Sequence, residues 1–215
     1  VKGYHIVNSE VHQVTGDFFD ETISTFVSTH ETRGQILRAP ENNLTPIFFH
    51  AQCGGKTLLP RQVWGNVVNG YQSVDCPYCH EFNKGWSNIL RIDKFKGILI
   101  NALKNGPGLD PINLATSKIK FLIKDKGREY VHLFIGKSEI PLAKPLFRRY
   151  LGRRVIESNH FTLDVKDNHV TFKGRGKGHG VGMCQLGALA FARRGWGYDK
   201  ILKHYFPKHQ LERVY

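Results

Sequence analysis

Apolar residues recur with helical spacing in several parts of the chain. Ile23, Phe26 and Val27 lie at positions i, i+3 and i+4 behind Asp20, a residue suited to cap a helix, and Gly34 follows as a stop. The same spacing predicts further helices downstream. They are 95–103 before Gly106-Pro107-Gly108, PLAKPLFRRYL before Gly152, 183–194 before Gly195, and a short last helix between Asp199 as its cap and Pro207.

Alternation of apolar and polar residues predicts strands elsewhere. The predicted strands are residues 4–15, QIL, TPIFFHAQ, KIKFLIKD, YVHLFIG and the two halves of HFTLDVKDNHVTFKG. Turn residues at Lys126-Gly127 and Asp167-Asn168 favour β-hairpins. Because strands and helices fall in separate runs, the pattern predicts an α+β fold.

Composition and charge narrow the class of protein. The 215 residues are 40% hydrophobic, which is typical of a globular protein, and they carry a net charge of +13. Such a charge either solubilises the surface or attracts a polyanion, for example nucleic acid, anionic lipid or a cell-wall polymer. No predicted helix collects Lys and Arg on one face, so nucleic acid is not expected as a partner. Val1 is not a natural start, so we expect a fragment or a mature form.

The cysteines allow several kinds of chemistry. They stand at positions 53, 76, 79 and 184, and Cys76-Pro77-Tyr78-Cys79 has the C-x-x-C spacing of half a zinc site or a redox pair. The residues that follow form no convincing apolar-periodic helix, so a thioredoxin-like motif is not indicated. Bound zinc, a disulfide and free buried thiols all remain open at this point.

A glycine-rich loop is the most distinctive stretch of the sequence. GRGKGHGVGMCQLGALAFARRG, residues 174–195, places alternate glycines around His179 and then becomes a helical pattern. Such a loop can offer backbone amides and an imidazole to a polar ligand near a helix N-terminus. A tight packing corner with a structural His179 is the alternative. The order of glycines fits neither a P-loop nor a dinucleotide-binding fingerprint.

Continued to GWGYDKILKHYFP, this stretch resembles the signature end of the SpoIID/LytB family, the group of stage II sporulation protein D and the amidase enhancers. Several upstream segments resemble other elements of the family, so the resemblance covers nearly the whole chain. These segments are HQVTG, ETRGQIL, FFHAQCGGKT, VWGNVVNGYQSVDCPYC and LFRRYLGRRVIESNHFTL.

The resemblance implies a lytic transglycosylase that cuts peptidoglycan glycan strands, particularly strands stripped of their stem peptides. One carboxyl group would protonate the glycosidic oxygen and then help the muramyl 6-hydroxyl to close an anhydro ring. In the family this glutamate precedes the Q-V strand, whereas Glu10, Glu21 and Glu31 lie in no matching motif. We therefore assign no catalytic residue and expect that glutamate outside the sequence, unless it has been lost.

The resemblance also implies a SpoIID-like domain with a central substrate groove. Its parts would be 1–90, a middle helix and β-hairpins over 91–170, and 171–215 to complete the groove. The expected substrate-binding residues are His179, Gly178, Gly180, Gln185, Arg175, Gly54, Gly55 and Ser158.

Some members of the family carry zinc near the active site, which implies a zinc site in this chain. The expected ligands are Cys76, Cys79, Cys53 and His12, with His5, His50 and His80 as substitutes. Cys184 stands where the family has Ser or Cys and is expected to be a small buried residue. A disulfide of Cys53 with Cys76 or Cys79, and four free thiols, are the alternatives.

The expected partners are peptidoglycan glycan strands in the periplasm or cell envelope, with a membrane anchor only through a segment outside the sequence. A second interpretation is a non-catalytic glycan-binding module that recruits or stimulates a cell-wall amidase.

Overall fold

A computed structural model describes residues 21–82, 85–105, 121–125, 129–135 and 138–215. The described residues form two compact units, one from 21–37 with 211–215 and the other from 38–210. The small unit contains helix α1 (Ile23–Glu31) and a two-stranded sheet of β1 (Gln35–Arg38) and β10 (Gln210–Arg213). The strands predicted within 4–15 lie outside the described residues.

The described helices of the larger unit follow the apolar spacing of the sequence, except for α2, which was not predicted. They are α2 (Pro60–Trp64), α3 (Ile92–Asn105), α4 (Lys144–Leu151), α5 (Gln185–Ala192) and α6 (Tyr198–Tyr205). In α3, Phe95, Leu99 and Leu103 are all buried, because their spacing puts them on one face. Among the described helices, none combines the length and apolarity needed to cross a membrane.

Two antiparallel sheets carry the larger unit. One has the order β3 (Trp86–Arg91), β8 (His169–Gly174), β7 (Phe161–Lys166), and the other the order β4 (Phe121–Asp125), β5 (Tyr130–Ile135), β6 (Ser138–Ala143). A short parallel pair joins β2 (Phe49–His50) to β9 (Met183–Cys184) and sets His50 opposite Cys184. This pair connects the FFHAQCGGKT segment to the end of the glycine-rich stretch.

The apolar core of the larger unit lies between helices and sheets. Phe95 of α3, Phe147 of α4 and Phe172 of β8 are fully buried, with neighbouring ring centroids 6.1 to 6.4 Å apart. Burying an aromatic side chain of this size contributes several kcal/mol to stability, and the entropy lost in ordering the side chain offsets only part of this gain. The three rings therefore hold the β3–β8–β7 sheet in place. One end of that sheet carries Trp86, Phe161 and Gly174, which border the candidate site.

The mixture of helices and strands confirms the predicted α+β fold. The hairpin at Asp167-Asn168 is also confirmed, with φ of 48° and 63° at its two turn residues. The turn at 126–127 and the terminator at 106–108 lie outside the described residues. The division into 1–90, 91–170 and 171–215 stays a prediction.

Several element boundaries were predicted wrongly. Thr22 caps α1 in place of Asp20, since the Thr22 hydroxyl accepts the N–H of Thr25 over 3.2 Å. Asp199 lies in the first turn of α6, whose N-cap is Gly197. TPIFFHAQ pairs as a strand only at Phe49–His50, while β3 and β10 were not predicted.

Candidate functional site

The glycine loop, residues 174–182, lies directly on the segment 50–58. Gln52 and Lys177 exchange two backbone hydrogen bonds of 2.9 and 2.7 Å, and the amide of Leu58 donates to the carbonyl oxygen of Gly180 over 2.7 Å. The Cys53-Gly54-Gly55 turn therefore sits beside the loop, as the sequence analysis expected. The two signature segments form one backbone assembly although they are more than a hundred residues apart in sequence.

Glycine is needed in this assembly because backbone meets backbone. Gly176 has φ of +88°, and a Cβ there would lie 2.6 Å from the carbonyl oxygen of Gln52. Gly54 has φ of +80°, and its Cβ would lie 2.8 Å from the carbonyl oxygen of Arg175. Neither position can accept a side chain without moving the main chain. For Gly176, which belongs to the glycine loop, the packing-corner interpretation is confirmed.

His179 is held as a half-buried ring inside an aromatic group. Its Nδ1 accepts the N–H of Val181 over 3.0 Å, and its ring centroid lies 5.1 Å from Trp64 and 5.4 Å from His50. Burial lowers the pKa of His179 to about 4, with the charge of His50 as the next cause. The ring is therefore neutral near neutral pH and is a poor proton donor to a glycosidic oxygen.

A groove of about 1070 Å³ opens beside the end of the β3–β8–β7 sheet. Three of the substrate-binding residues expected from the sequence, Gly54, Gly55 and Arg175, line it, whereas His179, Gly178 and Gly180 do not. The full lining is Gly54, Gly55, Lys56, Gly85, Trp86, Ser87, Lys144, His160, Phe161, Thr162, Leu163, Lys173, Gly174 and Arg175.

The groove lining is basic and contains apolar walls. Lys56, Lys173 and Arg175 are exposed in it, whereas Trp86 and Phe161 are largely buried and contribute only their edges to its wall. No Asp or Glu occurs among the described residues that line it. The described part of the lining therefore suits an anionic ligand and includes no carboxyl group that could act as acid or base.

Ser158 supports the groove from below. It is buried, accepts the indole N–H of Trp86 over 3.3 Å and donates to the carbonyl oxygen of Arg175 over 2.6 Å. The backbone of Arg175 also donates to the carbonyl oxygen of His160 over 3.0 Å. Ser158 thus positions two groove residues, and its hydroxyl is already engaged. Gln185, the first residue of α5, is exposed.

The four cysteines converge at the Cys53-Gly54-Gly55 turn, which we call the glycine turn. The sulfur atoms of Cys53, Cys76, Cys79 and Cys184 all lie within 4.8 Å of one another, and the thiols are free. All four residues are at most 2% exposed. We call this group the cysteine cluster. Its Cys53–Cys79 sulfur distance of 3.7 Å is far longer than the roughly 2.05 Å of a disulfide bond.

Polar groups of the main chain and of Tyr205 surround the cysteine cluster. The amides of Cys53 and Gly187 each donate to Cys184 Sγ over 3.3 Å, and Tyr205 Oη lies 3.1 Å from Cys76 Sγ. Hydrogen bonds from the other three cysteines hold the pKa of the Cys184 thiol well below its usual range. The hydrogen bond between Cys53 and Cys184 raises the pKa of Cys53. The arrangement favours the thiolate form of Cys184, which is the form that binds metal ions.

A buried histidine also faces this region. His50 Nδ1 lies 3.0 Å from the carbonyl oxygen of Val181, to which it donates, while Nε2 is buried without a hydrogen-bond partner. The three other cysteines are the largest causes of the lowered pKa of Cys184, and the nearby imidazole of His50 is a smaller one. Sulfur donors in this number and closeness fit a soft or borderline metal ion such as zinc.

The structure distributes the sequence-predicted metal ligands unevenly. Cys53, Cys76 and Cys79 come together as expected, His80 is exposed, and His5 and His12 lie outside the described residues. Cys184 is buried as predicted, yet it also joins the cysteine cluster, a role that the sequence analysis did not give it. No local sequence signal gives it this role, because it is the pairing of β2 with β9 that brings Cys184 next to Cys53.

Comparison with known proteins finds similarity to proteins of two bacteria. No family model matches it. An uncharacterized protein of Brachyspira hyodysenteriae is 33% identical over 159 residues, which is 74% of this chain and 41% of that protein. The amidase enhancer of Bacillus subtilis is 34% identical over 93 residues, 43% of this chain and 13% of that protein.

The chain thus spans less than half of the length of either relative. The similarity to an amidase enhancer agrees with the signature motifs in the glycine loop, the glycine turn and α6. On both grounds, the chain is similar to the SpoIID/LytB family over the part that is matched.

Proposed function

We propose that this chain is the strand-binding part of a SpoIID-like lytic transglycosylase that acts on peptidoglycan. Under this proposal, the groove is the site that binds the glycan strands. The observation that carries the proposal is the lining of the groove, which combines exposed cations with the edges of two largely buried aromatic side chains and has no carboxylate among its described residues. A glycan stripped of its stem peptides exposes a lactyl carboxylate on each muramyl sugar. Those carboxylates suit Lys56, Lys173 and Arg175.

The cleavage step needs a group that these residues do not supply. Protonation of the glycosidic oxygen calls for a carboxylic acid, and His179 with a pKa of about 4 is neutral at the pH where such an acid works. Under the proposal, the acid is a glutamate in the whole protein. The groove residues orient the strand, while the glycine loop and glycine turn give the rim its shape.

A second function, stimulation of a cell-wall amidase, is favoured by one observation. The relative from Bacillus subtilis bears the name amidase enhancer. A module that only binds glycan would act by holding an amidase near its substrate, which raises the effective concentration of that enzyme. Both functions place the protein in the periplasm or cell envelope.

Zinc bound by the cysteine cluster is part of the same proposal. Buried sulfur atoms within 4.8 Å of one another match the donor type of a structural zinc site. When bound, the ion would supply cross-links between segments, and the glycan would not contact it.

Binding to labelled glycan strands tests the proposed groove. The chain should bind strands treated to remove stem peptides more tightly than untreated strands, and added salt should weaken the binding. Arg175→Ala and Lys173→Ala should each weaken it about two- to fivefold, the effect of one partly exposed ion pair. Lys166→Ala is the matched control, because Lys166 is exposed at the opposite end of β7 and does not line the groove.

Product analysis separates the two functions. Anhydro-muramyl ends released by the full-length protein support the transglycosylase, whereas stimulation of an added amidase without such ends supports the binding module. Equal affinity for stripped and unstripped strands, unchanged in Arg175→Ala, would contradict both.

A further inference from the structure

We infer that the cysteine cluster is a closed four-thiolate metal site in which Cys184, and not His12, is the fourth ligand. The inference rests on the proposed binding of zinc and goes beyond it in naming the complete ligand set and its role. The ligands come from three segments: the glycine turn, the C-x-x-C segment and the residue before α5.

The spacing of the sulfur atoms fits one tetrahedral ion. Zinc–sulfur bonds of about 2.3 Å place the sulfur atoms of a tetrahedral site about 3.8 Å apart. The Cys53–Cys79 distance is 3.7 Å, and no pair in the cluster exceeds 4.8 Å. Four sulfur atoms therefore complete the coordination by themselves, and a histidine ligand would have to displace one of them.

The surroundings of Cys184 are those of a bound thiolate. It caps α5, and it accepts the amides of Cys53 and Gly187, each over 3.3 Å. Amide donors at a helix N-terminus stabilise negative charge on sulfur, which a neutral buried thiol does not need. The Tyr205 hydroxyl, 3.1 Å from Cys76 Sγ, adds a further polar contact to one of the sulfur ligands.

Burial makes the site structural. Cys76, Cys79 and Cys184 are 0% exposed and Cys53 is 2% exposed, so no ligand position opens to solvent or to the groove. The ion would instead fasten the glycine turn, whose Gly54 and Gly55 line the groove, to α5 and to the C-x-x-C segment. Metal removal is therefore expected to weaken glycan binding without any contact between metal and glycan.

Metal analysis and X-ray absorption at the zinc edge of the wild-type chain, purified without chelator, test the ligand set. The expected result is one zinc per chain with a shell of four sulfur atoms at about 2.3 Å and no nitrogen at about 2.0–2.1 Å. Because this measurement uses the unchanged chain, it does not depend on whether a variant folds. A shell of three sulfur atoms and one nitrogen would overturn the inference while leaving the zinc proposal intact.

Two substitutions provide the complementary test. His12→Ala should keep one zinc per chain, and Cys184→Ser should lose most of it or release it to a weak chelator far faster. Zinc retained in Cys184→Ser and lost in His12→Ala would contradict the inference. Chains without metal, in which denaturation exposes fewer than four titratable thiols, would contradict both the inference and zinc binding in favour of a disulfide.

Discussion

The hydroxyl group of Ser158 donates to the carbonyl oxygen of Arg175 over 2.6 Å, beneath a groove that Arg175 lines and Ser158 does not. The same hydroxyl accepts the indole N–H of Trp86. One buried serine therefore fixes a cationic and an aromatic residue of the groove at the same time. Its effect on a ligand would be indirect, through the positions of these two residues.

Ser158→Ala is expected to lower the free energy of unfolding by about 1–3 kcal/mol, because it leaves a buried carbonyl and an indole N–H without their partner. Denaturant unfolding measures the change. Ser87→Ala is the control: Ser87 lies next to Trp86 in the same strand but is exposed, so its loss should cost less than about 0.5 kcal/mol. Equal costs for the two substitutions would show that the Ser158 hydrogen bonds do not stabilise the fold.

The sequence was most informative where structure depends on near neighbours. The spacing of Phe95, Leu99 and Leu103 predicts α3, and Asp167-Asn168 predicts the β7–β8 hairpin, since both signals arise within a few residues. The end of α4 at Gly152 was likewise found, where the Gly152 amide donates to the carbonyl oxygen of Arg148 over 2.9 Å.

Features that depend on distant partners were not found in this way. The strand β2 pairs over only two residues with β9. The first of these pairs joins Phe49 to Met183, which lies 134 positions further along the chain. The place of Cys184 in the cysteine cluster follows from the same pairing, which no local pattern encodes. The family motifs indicated these segments. They did not indicate that His179 would pack against Trp64, nor that Arg175 and not His179 would line the groove.

His179 should make the fold sensitive to acid. Its pKa is lowered from 6.5 to about 4, so between these pH values the unfolded chain binds a proton that the folded chain does not. The free energy of unfolding should therefore decrease as the pH falls through that window. His179→Asn keeps a group able to accept the Val181 amide but does not titrate, so its stability should fall less steeply. Parallel stability profiles from pH 7 to about 4 would contradict this assignment.

Arg194 joins the end of α5 to the C-x-x-C segment. Its guanidinium forms two bonds to Glu81, of 2.6 and 3.3 Å, and lies 3.9 Å from the centre of the Tyr78 ring. Arg194→Lys keeps the charge but loses the planar guanidinium that makes both bonds to Glu81. The free energy of unfolding should therefore fall by about 0.5–1 kcal/mol. Urea unfolding checks this, with Arg149→Lys on the exposed side of α4 as the control. A loss no larger than that of the control would leave the planar guanidinium without a role in stability.

Gly187 and Gly97 provide a matched pair of helical glycines with opposite expected effects. A Cβ at Gly187 would overlap Tyr205 Oη and Cys76 Sγ, whereas a Cβ at Gly97 in α3 would meet nothing within 4 Å. Gly187→Ala should cost about 1–3 kcal/mol of unfolding free energy through overpacking and reduce the metal content of the chain. Gly97→Ala should add up to about 1 kcal/mol, because alanine is the better helix former and no neighbour must move. Denaturant unfolding and metal analysis of both variants decide the matter: a Gly187→Ala protein that is as stable and as metal-rich as Gly97→Ala would mean that α5 does not pack tightly on the cysteine cluster.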